Sequence, residues 1–329
     1  MRRLIVRLPN WLGDALMARP LLRALRDSFR EASIRAVGPA ALLELLAADR
    51  AWDEAHAWPL TSSARVSLRS PRADCAIVLP PSFSSAWFAL GTGARERVGF
   101  AHEGRSPLLT RALRRPPRGD LHLSREYLRL GEAAGAVSEG PPAPLAVSAE
   151  ARAAAVELSG TSGGAPYALL APGAAYGPAK RWPADRFAEA GRRLSKAGMR
   201  VLACGTAAER AVCEAVASAC GATALAGRTP LPVLAALCAG AATVVSNDSG
   251  LAHLAAATGA PTVAVFGSTS SGWTAPLGPR ARVAQRPPVC SPCFARTCRI
   301  GYRCLTAVTV EDVLAAAARA RAADGGRAS

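Results

Sequence analysis

The sequence has little lysine, few aromatic residues and no Asp-x-Asp pair. Only two of its 40 lysine and arginine residues are lysines, Lys180 and Lys196, so the other 38 are arginines. Without Asp-x-Asp, the commonest way of holding a divalent metal on a nucleotide diphosphate is excluded, and there is no G-x-x-x-x-G-K-[ST] phosphate loop. Aromatic residues make up only 5% of the chain and the arginines are dispersed, which disfavours nucleic-acid binding.

Long hydrophobic runs are also missing. The opening "MRRLIVRLPNWLGD" is basic, but Pro9 and Asn10 interrupt its apolar run too early for a secretory signal, so we expect a cytoplasmic protein. The uncharged stretch 229–247 is broken by prolines and a glycine, which favours a buried helix and strand over a membrane span. The net charge of +16 indicates either a solvated arginine-rich surface or an anionic partner.

Short apolar runs alternate with helical patterns along both halves of the chain. The runs include "LIVRL" (4–8), "SIRAV" (33–37), "CAIVLP" (75–80), "YALLAPG" (167–173), "RVLACGT" (200–206) and "PTVAVFGS" (261–268). Such alternation predicts an α/β fold of two Rossmann-like, doubly wound domains. We place them at 1–155 and 156–329, because the chain around residues 140–166 is rich in proline and glycine. Ligands of such sheets bind at the carboxyl ends of the strands, here in a cleft between the domains.

The segment "NDSGLAH" leads from a strand into an alanine-rich helix. The first N–H groups of a helix form an anion site, and Gly250 lets a ligand approach the backbone. Asp248 has the wrong charge to touch a phosphate, so it fixes the loop or binds sugar hydroxyls, while His253 lies one turn along the helix. The alternative is an ordinary serine or aspartate cap, with His253 as a packing residue.

Two other strand ends carry candidate catalytic residues. Lys180 lies in a loop after a strand, and its compact ammonium suits a leaving phosphate better than a guanidinium fork. Asn10, Gly13 and Asp14 follow the first strand, where an ionised Asp14 could take a proton from an attacking hydroxyl or simply cap the helix. Pro20 predicts a kink or a later helix start.

In "CGTAAERAV", Glu209 is placed to accept hydrogen bonds from ribose hydroxyls.

Four of the nine cysteines lie close together, in a C-x2-C-x4-C-x5-C pattern formed by Cys290, Cys293, Cys298 and Cys304. Four thiolates could hold a structural zinc ion or an iron–sulfur cluster. Reduced thiols or a local disulfide are the alternatives. The other five cysteines are scattered, and we expect small core residues.

Three segments together resemble the lipopolysaccharide heptosyltransferases of glycosyltransferase family 9. They are "PNWLGDALMARPLLRAL", "PGAAYGPAKRWP" and "NDSGLAHLAAATGAPTVAVFGSTSSGWTAPLG". The motifs "NDSG" and "GSTS", followed by "CSPC", resemble the heptosyltransferase II group of this family more closely than the heptosyltransferase I group.

The resemblance implies a GT-B fold and inverting, metal-independent transfer of heptose from ADP-L-glycero-D-manno-heptose to the heptosyl/Kdo–lipid A inner core. It makes Asp14 the general base and Lys180 the residue that neutralises the leaving diphosphate. The donor-binding residues that it implies are Thr206, Glu209, Asn247, Asp248, Ser249, Gly250 and His253. An acceptor loop around 81–100 is recognisable. The expected acceptor-binding residues are Asn10, Gly13 and one of the nearby arginines, which are Arg95, Arg97 and Arg105. Of the three, we select Arg97.

These expectations leave two alternative functions. One is a related enzyme that uses another nucleotide sugar or acceptor, because a fold does not fix a substrate. The other is a basic nucleic-acid-binding protein, although we expect no nucleic-acid partner. The positive charge also predicts peripheral association with the anionic inner membrane, where a lipid acceptor would be found.

Overall fold

The computed structural model describes residues 1–161 and 164–323. It divides into two compact units, Met1–Ala143 and Pro144 onward. The second unit begins earlier than the predicted boundary at 156, because the helix Ala149–Ser159 packs against the later helix Leu231–Gly240.

The first unit is a parallel sheet of six strands covered by helices. The strands are β1 (Arg3–Arg7), β2 (Ser33–Gly38), β3 (Glu54–Ala57), β4 (Cys75–Val78), β5 (Glu96–Ala101) and β6 (Arg111–Arg114). The α-helices are α1 (Leu12–Met17), α2 (Arg19–Ser28), α3 (Ala40–Leu46), α4 (Ser62–Arg69), α5 (Phe83–Gly91) and α6 (Leu123–Ala133). The strand order is β3-β2-β1-β4-β5-β6, so the chain reverses direction across the sheet between β1 and β4.

The second unit repeats this plan. Its strands are β7 (Tyr167–Ala171), β8 (Arg200–Ala203), β9 (Thr223–Ala224), β10 (Thr243–Asn247), β11 (Thr262–Val265) and β12 (Ala281–Ala284). Its α-helices are α7 (Ala149–Ser159), α8 (Ala184–Lys196), α9 (Arg210–Cys220), α10 (Leu231–Gly240), α11 (Gly250–Ala257), α12 (Ser271–Thr274), α13 (Arg303–Thr306) and α14 (Val310–Ala322). The order β12-β11-β10-β7-β8-β9 places the corresponding reversal between β7 and β10.

Burial explains why the central strands were readable from the sequence. Every residue of β7 and β10 is buried, as expected for a parallel sheet covered on both faces. Trp182, Phe187 and Leu305 fill the core beside these strands. The predicted α/β class with two doubly wound units is confirmed.

The prediction made from Pro20 is also confirmed. The helix after β1 is interrupted at Ala18, and α2 restarts at Arg19 with Pro20 in its first turn. Within residues 1–161 and 164–323, no helix has both the length and the apolarity needed to cross a membrane.

Candidate functional site

The loops after β7 and β10 meet at the reversal point of the second sheet, and Asn247 joins them. Its side-chain amide donates to the carbonyl oxygens of Pro172 (2.8 Å) and Gly173 (3.2 Å). Its Oδ1 accepts from the Trp182 backbone N–H at 2.8 Å. Asn247 has no solvent-exposed area. Its side chain therefore holds the two strand ends together.

Asp248, the next residue, lies at the centre of a small polar cluster. Its Oδ2 is 2.6 Å from the Lys180 Nζ and accepts a 2.5 Å hydrogen bond from the Thr269 hydroxyl. Asp248 is 3% exposed and Lys180 14% exposed, so water screens the ion pair poorly. The Lys180 ammonium also lies 4.9 Å from the centre of the Tyr176 ring. Asp248 thus fixes the loop through the side chains of Lys180 and Thr269.

The start of α11 lacks the ordinary cap that was the alternative interpretation of "NDSG". The structure starts α11 at Gly250 after Ser249, whose side chain makes no capping hydrogen bond. The Ser249 hydroxyl instead lies 3.1 Å from the Ser246 hydroxyl. Ser249 and Gly250 are partly exposed, whereas His253 is buried in the first turn. The helix start therefore keeps its backbone N–H groups for a partner other than the Ser249 hydroxyl.

Thr206 and Glu209 lie after β8, beside the same reversal point. Glu209 Oε2 accepts hydrogen bonds from the Thr206 backbone N–H (2.8 Å) and hydroxyl (2.9 Å). The Glu209 carboxyl group lies so close to Gly173 that a Cβ there would be 2.2 Å from Glu209 Cδ. Gly173 therefore has to be glycine, and Glu209 is held next to the loop that Asn247 braces.

The structure does not support the metal site that the spacing of the four clustered cysteines suggested. Among the described residues, no group of three or more histidine, cysteine or acidic side chains is arranged to hold a metal ion. Cys290 and Cys293 are exposed, Cys304 is buried, and Cys298 accepts from the backbone N–H groups of Ile300 and Tyr302 at 3.4 Å each. Burial, followed by the nearby cysteines, raises the pKa of the Cys304 thiol. The described residues therefore give no support to the zinc or iron–sulfur prediction.

The five scattered cysteines are all buried, as expected for core residues. Burial raises the pKa of Cys75, Cys204 and Cys213 to about 12, which keeps these thiols protonated and unreactive near neutral pH.

Asp14 lies in the first turn of α1 in the first unit. Trp11 occupies the N-cap position, so Asp14 is not the cap that its position also allowed. Burial raises the pKa of the Tyr127 hydroxyl well above its usual value, and the negative charge of Asp14 raises it further. Asp14 is thus a half-buried side chain near α6, in the first turn of α1.

The other predicted residues of the first unit surround this strand end. Asn10 is exposed, and its Oδ1 accepts from Arg7 Nη2 at 2.8 Å. Burial lowers the pKa of Arg7 to about 10, and its guanidinium lies 4.6 Å from the centre of the Trp58 ring. Gly13 is partly exposed on α1.

The expected acceptor loop at 81–100 is mostly regular structure, since it contains α5 and the start of β5. Arg105 is fully buried and donates to Phe100, Pro80 and Ser85, so it braces the interior. Arg97 is partly exposed, and its guanidinium donates to the carbonyls of Leu108 (2.8 Å) and Ala94 (3.0 Å).

The structure therefore brings most predicted donor residues together in the second unit. Lys180 and Asp248 are in contact, while Asn247 and Glu209 both meet Gly173. Asp14, Asn10, Gly13 and Arg97 belong to the first unit. Sequence reasoning missed Thr269 and Tyr176, although the "GSTS" segment after β11 was a usable signal for Thr269.

Comparison with known proteins agrees with this geometry. The profile of glycosyltransferase family 9 (heptosyltransferase) matches residues 62–303. The chain is 32% identical over 297 residues to lipopolysaccharide heptosyltransferase 2 of Escherichia coli K12, covering 84% of this chain and 85% of that protein. It is 30% identical over 299 residues to lipooligosaccharide heptosyltransferase 2 of Haemophilus influenzae, covering 84% and 86% of the two chains.

A solved structure extends the likeness to three dimensions. The structure of the E. coli ADP-heptose LPS heptosyltransferase II matches with a TM-score of 0.80 and 29% identity, covering 98% of this chain and 100% of that one. The match confirms the fold that the sequence resemblance implied.

Proposed function

The chain belongs to glycosyltransferase family 9, the heptosyltransferases, and we propose that it transfers heptose from ADP-heptose to the inner core of lipopolysaccharide, with inversion at the anomeric carbon. The observation that carries this proposal is the cluster of Lys180, Asp248 and Thr269 at the reversal point of the second sheet, next to the start of α11. Open α/β sheets bind nucleotides at such a point.

The donor's diphosphate binds at Lys180 and the first turn of α11. Transfer leaves negative charge on the departing ADP, and an ammonium plus a helix N-terminus stabilises that charge. Ser249 and Gly250 provide backbone N–H groups, and Asp248 holds Lys180 in place until the diphosphate binds. Asn247 acts by holding the loops in position. His253 lies one turn inside the same helix.

The ribose of the donor binds beside Glu209 and Thr206. The Glu209 carboxylate, held against Gly173, keeps acceptor capacity beyond its two bonds to Thr206 and can take hydrogen bonds from ribose hydroxyls.

Asp14 is the general base of the proposed reaction. It accepts the proton of the acceptor hydroxyl as the oxygen attacks the anomeric carbon and the bond to ADP breaks. Asn10, Gly13 and Arg97 contribute to binding the acceptor. The reaction uses no metal, since Lys180 and α11 supply the positive charge that a divalent ion supplies elsewhere.

Nucleotide selectivity tests the proposal. In calorimetric titrations with ADP, UDP, GDP and CMP, ADP should bind most tightly. The other nucleotides should bind more weakly or not measurably. Preference for any other nucleotide would overturn the heptose assignment and favour a related transferase that uses another nucleotide sugar.

We also propose that the protein works in the cytoplasm, peripherally bound to the inner membrane. Besides the net charge of +16, the helices α4 and α5 support this proposal. They expose the apolar side chains Val66, Phe83, Trp87 and Leu90. Arg65 and Arg69 are exposed beside them. Interfacial aromatics combined with arginines suit an anionic lipid surface.

Vesicle sedimentation tests the membrane proposal. Binding to phosphatidylglycerol vesicles should fall as salt is raised and should weaken in Trp87→Ala, whereas Val137→Ala, an exposed apolar residue elsewhere, should bind normally. Equal binding to neutral vesicles, or pelleting that resists salt, would contradict it.

A further inference from the structure

The cysteine-rich loop, residues 290–304, packs onto the proposed diphosphate site through backbone hydrogen bonds. The N–H groups of Cys293 and Phe294 donate to the Ser268 carbonyl, at 3.0 and 2.7 Å. The Ala179 N–H donates to the Arg296 carbonyl at 3.0 Å. Ser268 precedes Thr269, and Ala179 precedes Lys180. The loop is therefore attached to both segments that position the Lys180–Asp248 pair.

Gly177 shows that this attachment is built into the backbone. It has a positive φ of 147°, and a Cβ at this position would lie 2.6 Å from the Arg296 carbonyl oxygen. A larger residue would push the loop away. The glycine in "AAYGPAK" is thus explained by the close approach of the chain at Arg296.

The attached loop brings a second cation to the site. The Tyr176 hydroxyl donates to the Phe294 carbonyl at 2.5 Å, which fixes the ring. The Arg296 Cζ lies 5.4 Å from the ring centre, and the Lys180 Nζ lies 4.9 Å from it. One aromatic ring therefore contacts two positive groups.

The charges of this arrangement are unbalanced. Lys180 is paired with Asp248, but no carboxylate of the described residues lies within salt-bridge distance of Arg296, whose residue is exposed. The Lys180 and Arg296 cations repel each other, and an anion that binds to both offsets this repulsion. A guanidinium presents a fork of donors that matches two phosphate oxygens.

We propose that Arg296 is a donor-binding residue, whose guanidinium binds the diphosphate together with Lys180, and that the cysteine-rich loop serves to place it there. This inference rests on the proposed function, because it assigns a further residue to the same diphosphate site. It also gives the loop a role that requires no metal.

The test compares Arg296→Gln with Arg299→Gln, which removes the same charge from an exposed position of the same loop. ADP and inorganic pyrophosphate are titrated calorimetrically into the full chain. Arg296→Gln should weaken both ligands about 10-fold or more, whereas Arg299→Gln should stay within about 2-fold. Arg296→Lys should bind pyrophosphate more tightly than Arg296→Gln but less tightly than the wild type.

The outcomes separate the two proposals. Equal affinities for Arg296→Gln and the wild type, or equal losses in Arg296→Gln and Arg299→Gln, would overturn the inference while ADP binding by the wild type still supports the proposed function. If the wild type prefers another nucleotide, the heptose proposal fails, and the pyrophosphate comparison still decides the role of Arg296. Failure of the wild type to bind pyrophosphate or any nucleoside diphosphate would overturn both. Melting temperatures near that of the wild type establish that each variant is folded.

Discussion

Replacing Asn247 with alanine should destabilise the second unit strongly. The side chain has no exposed area and makes three hydrogen bonds, to the Trp182 N–H and to the carbonyls of Pro172 and Gly173. Truncation leaves these three groups without their partner in a closed interior. An unsatisfied buried group costs about 1–3 kcal/mol, and the Gly173 bond is the longest of the three. We therefore expect a loss of about 3–6 kcal/mol in the free energy of unfolding.

Thermal unfolding followed by circular dichroism measures this loss. For a unit of this size, 1 kcal/mol corresponds to about 2–4 °C, so the melting temperature should fall by about 6–24 °C. The matched control is Thr243→Val in the same strand, because the buried Thr243 hydroxyl makes no hydrogen bond in the structure. That variant should melt at or above the wild-type temperature. If both variants melted within about 2 °C of the wild type, the bracing role of Asn247 would be refuted.

Three further predictions concern the chemistry of the proposed site and of the cysteine-rich loop. Asp14→Asn should lower kcat by about 10²–10⁴-fold, as expected for loss of a general base. The affinity for ADP, measured by calorimetry, should not change. Turnover near that of the wild type would show that Asp14 is not the general base. Lys180→Met should lower the free energy of unfolding by about 3–5 kcal/mol, because it leaves Asp248 buried without its ion-pair partner. In urea titrations, adding Asp248→Asn to this variant should recover part of the loss. Equal stability of the single and double variants would contradict this coupling. Because its pKa is raised, the Cys304 thiol contains less thiolate at a given pH than an ordinary cysteine does. Iodoacetamide at pH 8 should therefore alkylate the exposed Cys290 well before the buried Cys304, as followed by mass spectrometry. Similar rates at the two residues would show that Cys304 is not protected.

The central strands were predictable because buried parallel strands are continuous apolar runs, as in β7 and β10. The edge strands β3 and β6 were not, because "EAHA" and "RALR" carry exposed polar residues and lack an apolar run. The central strands β7 and β10 were therefore easier to predict than the edge strands β3 and β6.

The candidate site was predictable residue by residue, but its contacts were not. The rarity of lysine pointed to Lys180, yet its pairing with Asp248 joins positions far apart in the chain. Side-chain roles also depended on burial, which is why Asn247 is a brace and Arg105 an internal support. The cysteine spacing alone does not establish a metal site, because closeness along a loop does not fix how four sulfur atoms are arranged.

The central claim is metal-independent transfer of heptose from ADP-heptose. Its most direct test is incubation of the purified chain with ADP-heptose and a heptose-deficient lipopolysaccharide core in excess chelator, with the mass of the acceptor measured. We expect an acceptor that is heavier by one heptose, formed at a rate that the chelator does not change. An unmodified acceptor, or transfer that stops in chelator and returns with a divalent metal, would contradict it.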